Sequence, residues 1–250
     1  MDTRHVVIKD NPAKAALTAA TIFADTCRES ISKRGRFAVV LSGGSTPRLF
    51  HRILAEEPFL SEVEWAGAHI FWVDERCVPE DNPGSNYGTA KRDFLDRLPL
   101  LPGQIHPMPG RLPPETGVSR YQTELMDFFC LKRGEVPIFD LISLGVGKDG
   151  HIASLFPGNT SSDGEDKLLE TVTGGDPYLA RLTMSYSVLN QARRIVFLAT
   201  GVGKARILKA IFEDSEALLP AQKIFSSEGN LTWILDRDAA SLLPAKIAPQ

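Results

Sequence analysis

The stretch FAVVLSGGSTPRLF, residues 37–50, decides the class of fold. Phe37–Leu41 is a continuous apolar run, the pattern of a strand buried on both faces of a parallel sheet. It runs into two glycines flanked by hydroxyls, and from Pro47 to Leu54 the chain reads as helix. The same order recurs further along. Residues 68–73 (AHIFWV) lead into Asp74-Glu75-Arg76, and residues 139–144 lead into glycines 145, 147 and 150. Ile195–Ala199 leads into TGVGK, residues 200–204, and a helical stretch over 204–212. Strands alternating with helices predict a mostly parallel α/β sheet covered on both sides. In such sheets ligands bind beyond the carboxyl ends of the strands, where all four of these loops lie.

The rest of the chain fills in around these units. Residues 5–9 read as an edge strand, and Asn11-Pro12 as an N-cap with proline at the first helical position. Ala16, Ala19, Ala20, Phe23, Cys27 and Ile31 then recur at helical spacing, and Gly35 ends that helix. Ser85 is a cap for a helix through Leu98. Residues 99–114 hold six prolines and read as an irregular surface connection. Residues 115–132 read as helix, 179–186 as an alternating strand, and 231–235 as a last strand, with Asp236 capping a closing helix. No repeat or linker divides the 250 residues, so one domain over 1–250 is expected.

Composition narrows the function classes. A net charge of -3 without a basic cluster argues against nucleic acid as the main partner. The N-terminal MDTRHVVIKD has no apolar core of a signal peptide, and no apolar run reaches membrane length. Cys27, Cys77 and Cys130 are scattered and lack metal or CxxC spacing, which suits free thiols and a cytoplasmic protein.

Four constellations carry chemistry. Ser42, Gly43, Gly44, Ser45 and Thr46 combine exposed amides, hydroxyls and a helix start, which suits a phosphate. A capped turn without ligand is the plain alternative, and the spacing matches neither nucleotide motif, GxxxxGK[ST] or GxGxxG. Asp74-Glu75-Arg76 sets three charges directly after a buried strand, where they need solvent, partners or a ligand. Arg76 suits a carboxylate or phosphate, and Asp74 suits a histidine or substrate hydroxyls. His151, two residues after Asp149 in a glycine-framed loop, suits a general base, because neutral imidazole is available near pH 7. Ser154 lacks the GxSxG elbow of a nucleophile and reads as a loop hydroxyl. Lys204 opens its helix as a point charge for a phosphate or as a solvated lysine, with Arg181 a weaker second cation. No cluster offers metal-ligand spacing.

The segments LSGGSTP (41–47), VDERCVP (73–79), SNYG (85–88), LGVGKDGHIASLFPG (144–158) and TGVGK (200–204) resemble, in order and spacing, the 6-phosphogluconolactonase family. The resemblance spans most of the chain. It implies a modified Rossmann-like three-layer α/β/α sandwich, similar to glucosamine-6-phosphate deaminases and ribose-5-phosphate isomerases. It also implies hydrolysis of 6-phospho-D-glucono-1,5-lactone to 6-phosphogluconate without metal or cofactor. By that likeness His151 activates water, with Asp74 or Asp149 orienting it. Residue 145–147 amides or Arg76 meet the oxyanion. Residues 42–46, Asn86, Gly147, Lys204 and Arg181 bind the phosphorylated substrate. Deaminases share SGGSTP and GxxxDGHxA but typically carry DEY in place of Asp74-Glu75-Arg76, and FNEP in place of residues 154–157. Both departures favour the lactonase.

Overall fold

The computed structural model describes residues 5–158, 167–228, 230–245 and 247. Seven parallel strands make the main sheet. They are β1 (His5–Lys9), β2 (Phe37–Leu41), β3 (Ala68–Trp72), β5 (Ile105–His106), β6 (Leu141–Leu144), β9 (Ile195–Ala199) and β10 (Leu231–Asp236), in the spatial order β1-β10-β9-β6-β2-β3-β5. A second sheet of three antiparallel strands holds β4 (Asp74–Arg76), β8 (Leu179–Met184) and β7 (Leu169–Gly174), in that order. The helices are α1 (Pro12–Arg34), α2 (Ser45–Leu54), α3 (Phe59–Glu62), α4 (Asn86–Asp93), α5 (Pro114–Phe129), α6 (Tyr186–Asn190) and α7 (Ala205–Glu213).

Strand order explains where a site can form. From β2 the chain moves through β3 to β5 on one side, then returns with β6 on the other side of β2 and continues to β9 and β10. The loops after β2 and β6 therefore leave the sheet side by side and diverge, opening a crevice at the topological switch point. Ser42 ties the two strand ends together. Its hydroxyl donates to the Ser143 carbonyl at 2.7 Å and accepts from the Gly145 amide at 3.1 Å.

Side-chain alternation along the strands places the layers. Phe37 projects to the side of α1, where its ring meets Phe23 edge-on at 5.1 Å. Phe71 pairs in register with Val40, one step out of phase with Phe37, and so faces the opposite layer. There it meets Phe128 of α5 at 5.0 Å. On that same face Phe197 stacks on Trp233 at 3.8 Å, and Phe212 of α7 closes over the tryptophan. The result is helix, sheet, helix, with β2, β6 and β9 buried along their full length as their apolar runs require. Asn11 accepts from the Lys14 amide at 3.0 Å and Gly35 closes α1 in the left-handed region, as the sequence predicts.

Several expectations needed correction. Asp74-Glu75-Arg76 is a strand, because Val73 accepts from Met184 and hands the chain to antiparallel pairing with residues 181–183. Within the proline-rich stretch 99–114, Ile105 and His106 add an edge strand. Buried Gln104 secures it by donating to the carbonyls of Trp65 and Ala68, both at 2.7 Å. The helix after Ser85 stops at Asp93, because Phe94 leaves helical geometry to bury its ring on His51, 4.6 Å away. The helix over 115–132 ends at Phe129, where Cys130 turns left-handed. After Asp236 the described residues form turns rather than a helix. The Asp236 carboxylate instead receives the amides of Ala239 and Gly201, at 2.8 and 2.9 Å, and so anchors the loop that carries Lys204.

Candidate active site

A cavity of about 250 Å³ occupies the switch point. Ser42, Gly43, Gly44, Ser45 and Thr46 line it from one side, Gly147 and His151 from another, and Asp74, Arg76, Asn86, Arg181 and Lys204 complete it. Every residue expected from sequence to act on or bind the substrate lines this cavity except Asp149, which pairs with His151; Glu75 and Ser154 also lie outside the lining.

The His151 end is built by close packing. His151 Nδ1 lies 2.6 Å from Asp149 Oδ1, whose oxygen also accepts the His151 amide at 3.2 Å. A carboxylate accepts only, so this contact places a proton on Nδ1, and in the neutral ring Nε2 then carries the lone pair. Burial raises the Asp149 carboxyl pKa, but the neighbouring His151 ring and amide outweigh burial and hold it below the ordinary value. Gly147 makes the pairing possible: a Cβ there would lie 2.1 Å from His151 Nδ1 and 2.4 Å from Asp149 Oδ1. The carboxylate in contact with the His151 ring is thus Asp149, and Asp74 is engaged elsewhere.

Asp74 is buried and receives the Ser154 hydroxyl at 2.6 Å and the Asn86 side-chain amide at 3.2 Å. Ser154 is fully buried with its proton held by that carboxylate, the locked loop hydroxyl expected of it. Asn86 lies flat on the β2 loop, where a Cβ on Gly43 would meet its Oδ1 at 1.9 Å. Glu75, which sequence reading left without a role, is buried and accepts the amides of Arg76, Asn86 and Tyr87 and the Ser85 hydroxyl. Burial outweighs those bonds and raises its pKa. It staples the start of α4 to β4, and thereby sets Asn86 against the cavity.

The other walls are cationic. Arg76 and Arg181 face each other directly across the β4–β8 ladder. Like charges so placed repel. Among the described residues no carboxylate forms a salt bridge to either. Burial first, and then Arg76, holds the Arg181 guanidinium below its usual pKa. Arg76 is steadied through Nη1 by the Gly84 carbonyl at 3.1 Å and by Asn86 Oδ1. Lys204 donates to the Val146 carbonyl at 2.6 Å. Burial, and then Lys148, lowers its pKa against the opposing pull of Asp149. Lys148 also lines the cavity and was missed in the sequence, although it stands inside the glycine loop. At the head of α2 no side chain caps the helix, so its first amides lack intrahelical partners and face the cavity loop. Among the described residues the cations of the lining, Arg76, Lys148, Arg181 and Lys204, together with an uncapped helix start, outnumber its one carboxylate, Asp74, a balance that suits an anion. Among the described residues no group of three His, Cys, Asp or Glu is placed to hold a metal ion.

Comparison with known proteins identifies the family of the chain. Residues 10–233 match the family model of glucosamine-6-phosphate isomerases/6-phosphogluconolactonase. The chain belongs to this family. It is 39% identical over 224 residues to 6-phosphogluconolactonase of Rattus norvegicus, covering 88% of this chain and 85% of that one. To the Synechocystis 6-phosphogluconolactonase it is 38% identical over 218 residues, covering 86% and 88%. The crystal structure of 6-phosphogluconolactonase from Thermotoga maritima superposes with a TM-score of 0.81 at 27% identity, covering 93% of this chain and 99% of that one. The family's α/β fold is thus shared over most of the chain.

Proposed function

We propose that this chain is a 6-phosphogluconolactonase, hydrolysing 6-phospho-D-glucono-1,5-lactone to 6-phospho-D-gluconate. The carrying observation is that one cavity joins an Asp149-paired imidazole to the cations Arg76, Arg181 and Lys204 and to the uncapped head of α2. The phosphate lies at the head of α2 with Lys204 and Arg181, and the lactone carbonyl lies towards His151. Charged hydrogen bonds contribute about 1.5–3 kcal/mol each, so several of them select the phosphorylated lactone and hold C1 against the base.

Nε2 of His151 takes a proton from water as the water oxygen bonds to C1, giving a tetrahedral oxyanion. The C1–O5 bond then breaks as the carbonyl re-forms, and the imidazolium returns its proton to O5. A positioned base contributes on the order of 10²–10⁴ in rate. The Gly145 and Gly147 amides are already donated, to Ser42 Oγ and to the His151 carbonyl. Arg76, with N–H groups beyond those bound by Gly84 and Asn86, and the Val146 amide then serve as donors for the oxyanion. The three free cysteines and the lack, among the described residues, of a helix able to cross a membrane fit a reaction in the cytoplasm. Turnover of the phosphorylated lactone above its spontaneous opening is the expected assay result. Ammonia release from glucosamine 6-phosphate without lactone hydrolysis would overturn the assignment.

A further inference from the structure

Phe156 does not line the cavity, yet it touches groups at both of its ends. Its ring centroid lies 4.9 Å from that of His151, with the two planes tilted by 51°. The Arg181 guanidinium sits 5.6 Å from the same ring. A single apolar side chain thus stands between the base and the arginine assigned to the phosphate.

The surroundings are shaped to receive it. Ile152 and Leu155 bridge each other across a tight turn in which Ala153 takes a left-handed φ of 46°. The turn is pinned by the Ser154 amide on Thr183 Oγ1 at 3.2 Å and the Ser154 hydroxyl on Asp74. From that anchor Phe156 emerges against Gly174 and Gly175, where a Cβ would stand 3.1 Å from its ring in each case. The Gly174 carbonyl in turn accepts Arg181 Nε at 3.0 Å.

Asp149 fixes one edge of the imidazole but is half exposed, and a single hydrogen bond leaves the ring free to rock about it. The tilted ring contact with Phe156 restricts that freedom. We propose that Phe156 is a positioning residue that sets the ring plane of His151 and the seat of Arg181 together, tying the base to the phosphate end of the crevice. The role rests on the lactonase reading. Misplacing a reacting group by about an ångström costs on the order of a hundredfold in rate, so partial loss of this support falls short of that.

The test uses Phe156→Leu, and Gly174→Ala as a second perturbation that pushes the same ring from behind. In each, kcat is expected to fall roughly three- to thirtyfold, and inhibition by inorganic phosphate to weaken, with the melting temperature within a few degrees of the parent. In an Asp149→Asn background the kcat effect of Phe156→Leu should depart from additivity by more than about threefold, because both residues hold one imidazole. In an Arg181→Ala background its effect on phosphate inhibition should vanish. Additive losses in both backgrounds, or an unchanged kcat in a folded Phe156→Leu enzyme, would overturn the role. A parent without lactone turnover would overturn the functional reading and this role with it, whereas an active parent with additive losses would overturn this role alone.

Discussion

Replacing Asp149 by asparagine removes one charge and little else. The side chain keeps its shape, it lies outside the cavity wall, and its amide oxygen can still accept from His151 Nδ1, now 2.6 Å from Oδ1. What disappears is the attraction between the carboxylate and the imidazolium that forms as water is deprotonated. Two unit charges at roughly 4 Å attract by about 1 kcal/mol in water and about 4 kcal/mol at the effective dielectric near a protein surface. The Asp149 side chain is 52% exposed, so solvent screening keeps the value between those limits. At about 1.4 kcal/mol per tenfold, kcat should fall roughly fivefold to nearly a thousandfold. KM should stay close to the parent value, because the phosphate contacts are untouched. The assay is initial-rate lactone hydrolysis, with spontaneous opening subtracted and the melting temperature measured in parallel. A folded variant with kcat within twofold of the parent would remove the Asp149–His151 pair from the mechanism.

Gly147→Ala should abolish most activity, since its Cβ would meet both members of that pair; steady-state kinetics at parental kcat would show that the loop yields without harm. Ser154→Ala strips a buried carboxylate of a charge-assisted bond and should lower stability by about 1.5–3 kcal/mol, or roughly 3–12 °C in melting temperature for a chain of this size; calorimetry showing no change would mean that Asp74 finds another donor. Burial pushes the His51 imidazole down to about 3, so it stays neutral in the fold while the unfolded chain binds a proton near the ordinary 6.5. Stability should therefore fall as pH drops from about 6.5 towards 3, and His51→Phe should flatten that slope in denaturant titrations; an identical slope in the variant would exclude His51 as its source.

The central strands were legible because a parallel sheet buries both faces, which writes itself as runs such as FAVVL and IVFLA. The loops after them were legible because close approach demands glycine, as at Gly43 and Gly147. What was hidden depends on partners far away in sequence. Asp74-Glu75-Arg76 carries no strand pattern of its own and becomes one only by pairing with residues 181–183. The edge strand at Ile105 and His106 is two residues long and rests on Gln104, a contact with no local signature. Among site residues, Glu75 and Phe156 act through neighbours rather than by facing the cavity. Ser42 was expected as a phosphate donor, but its proton is held by Ser143. Which carboxylate serves His151 depended on the third dimension, since Asp74 and Asp149 both follow buried strands.

The most direct measurement is a crystal structure with 6-phosphogluconate bound. The expected density puts the phosphate at the first amides of α2 beside Lys204 and Arg181, and the C1 carboxylate within reach of His151 Nε2 and Arg76. A product molecule seated in the reverse orientation, or in a different cavity with this crevice empty, would contradict the proposed chemistry at its root.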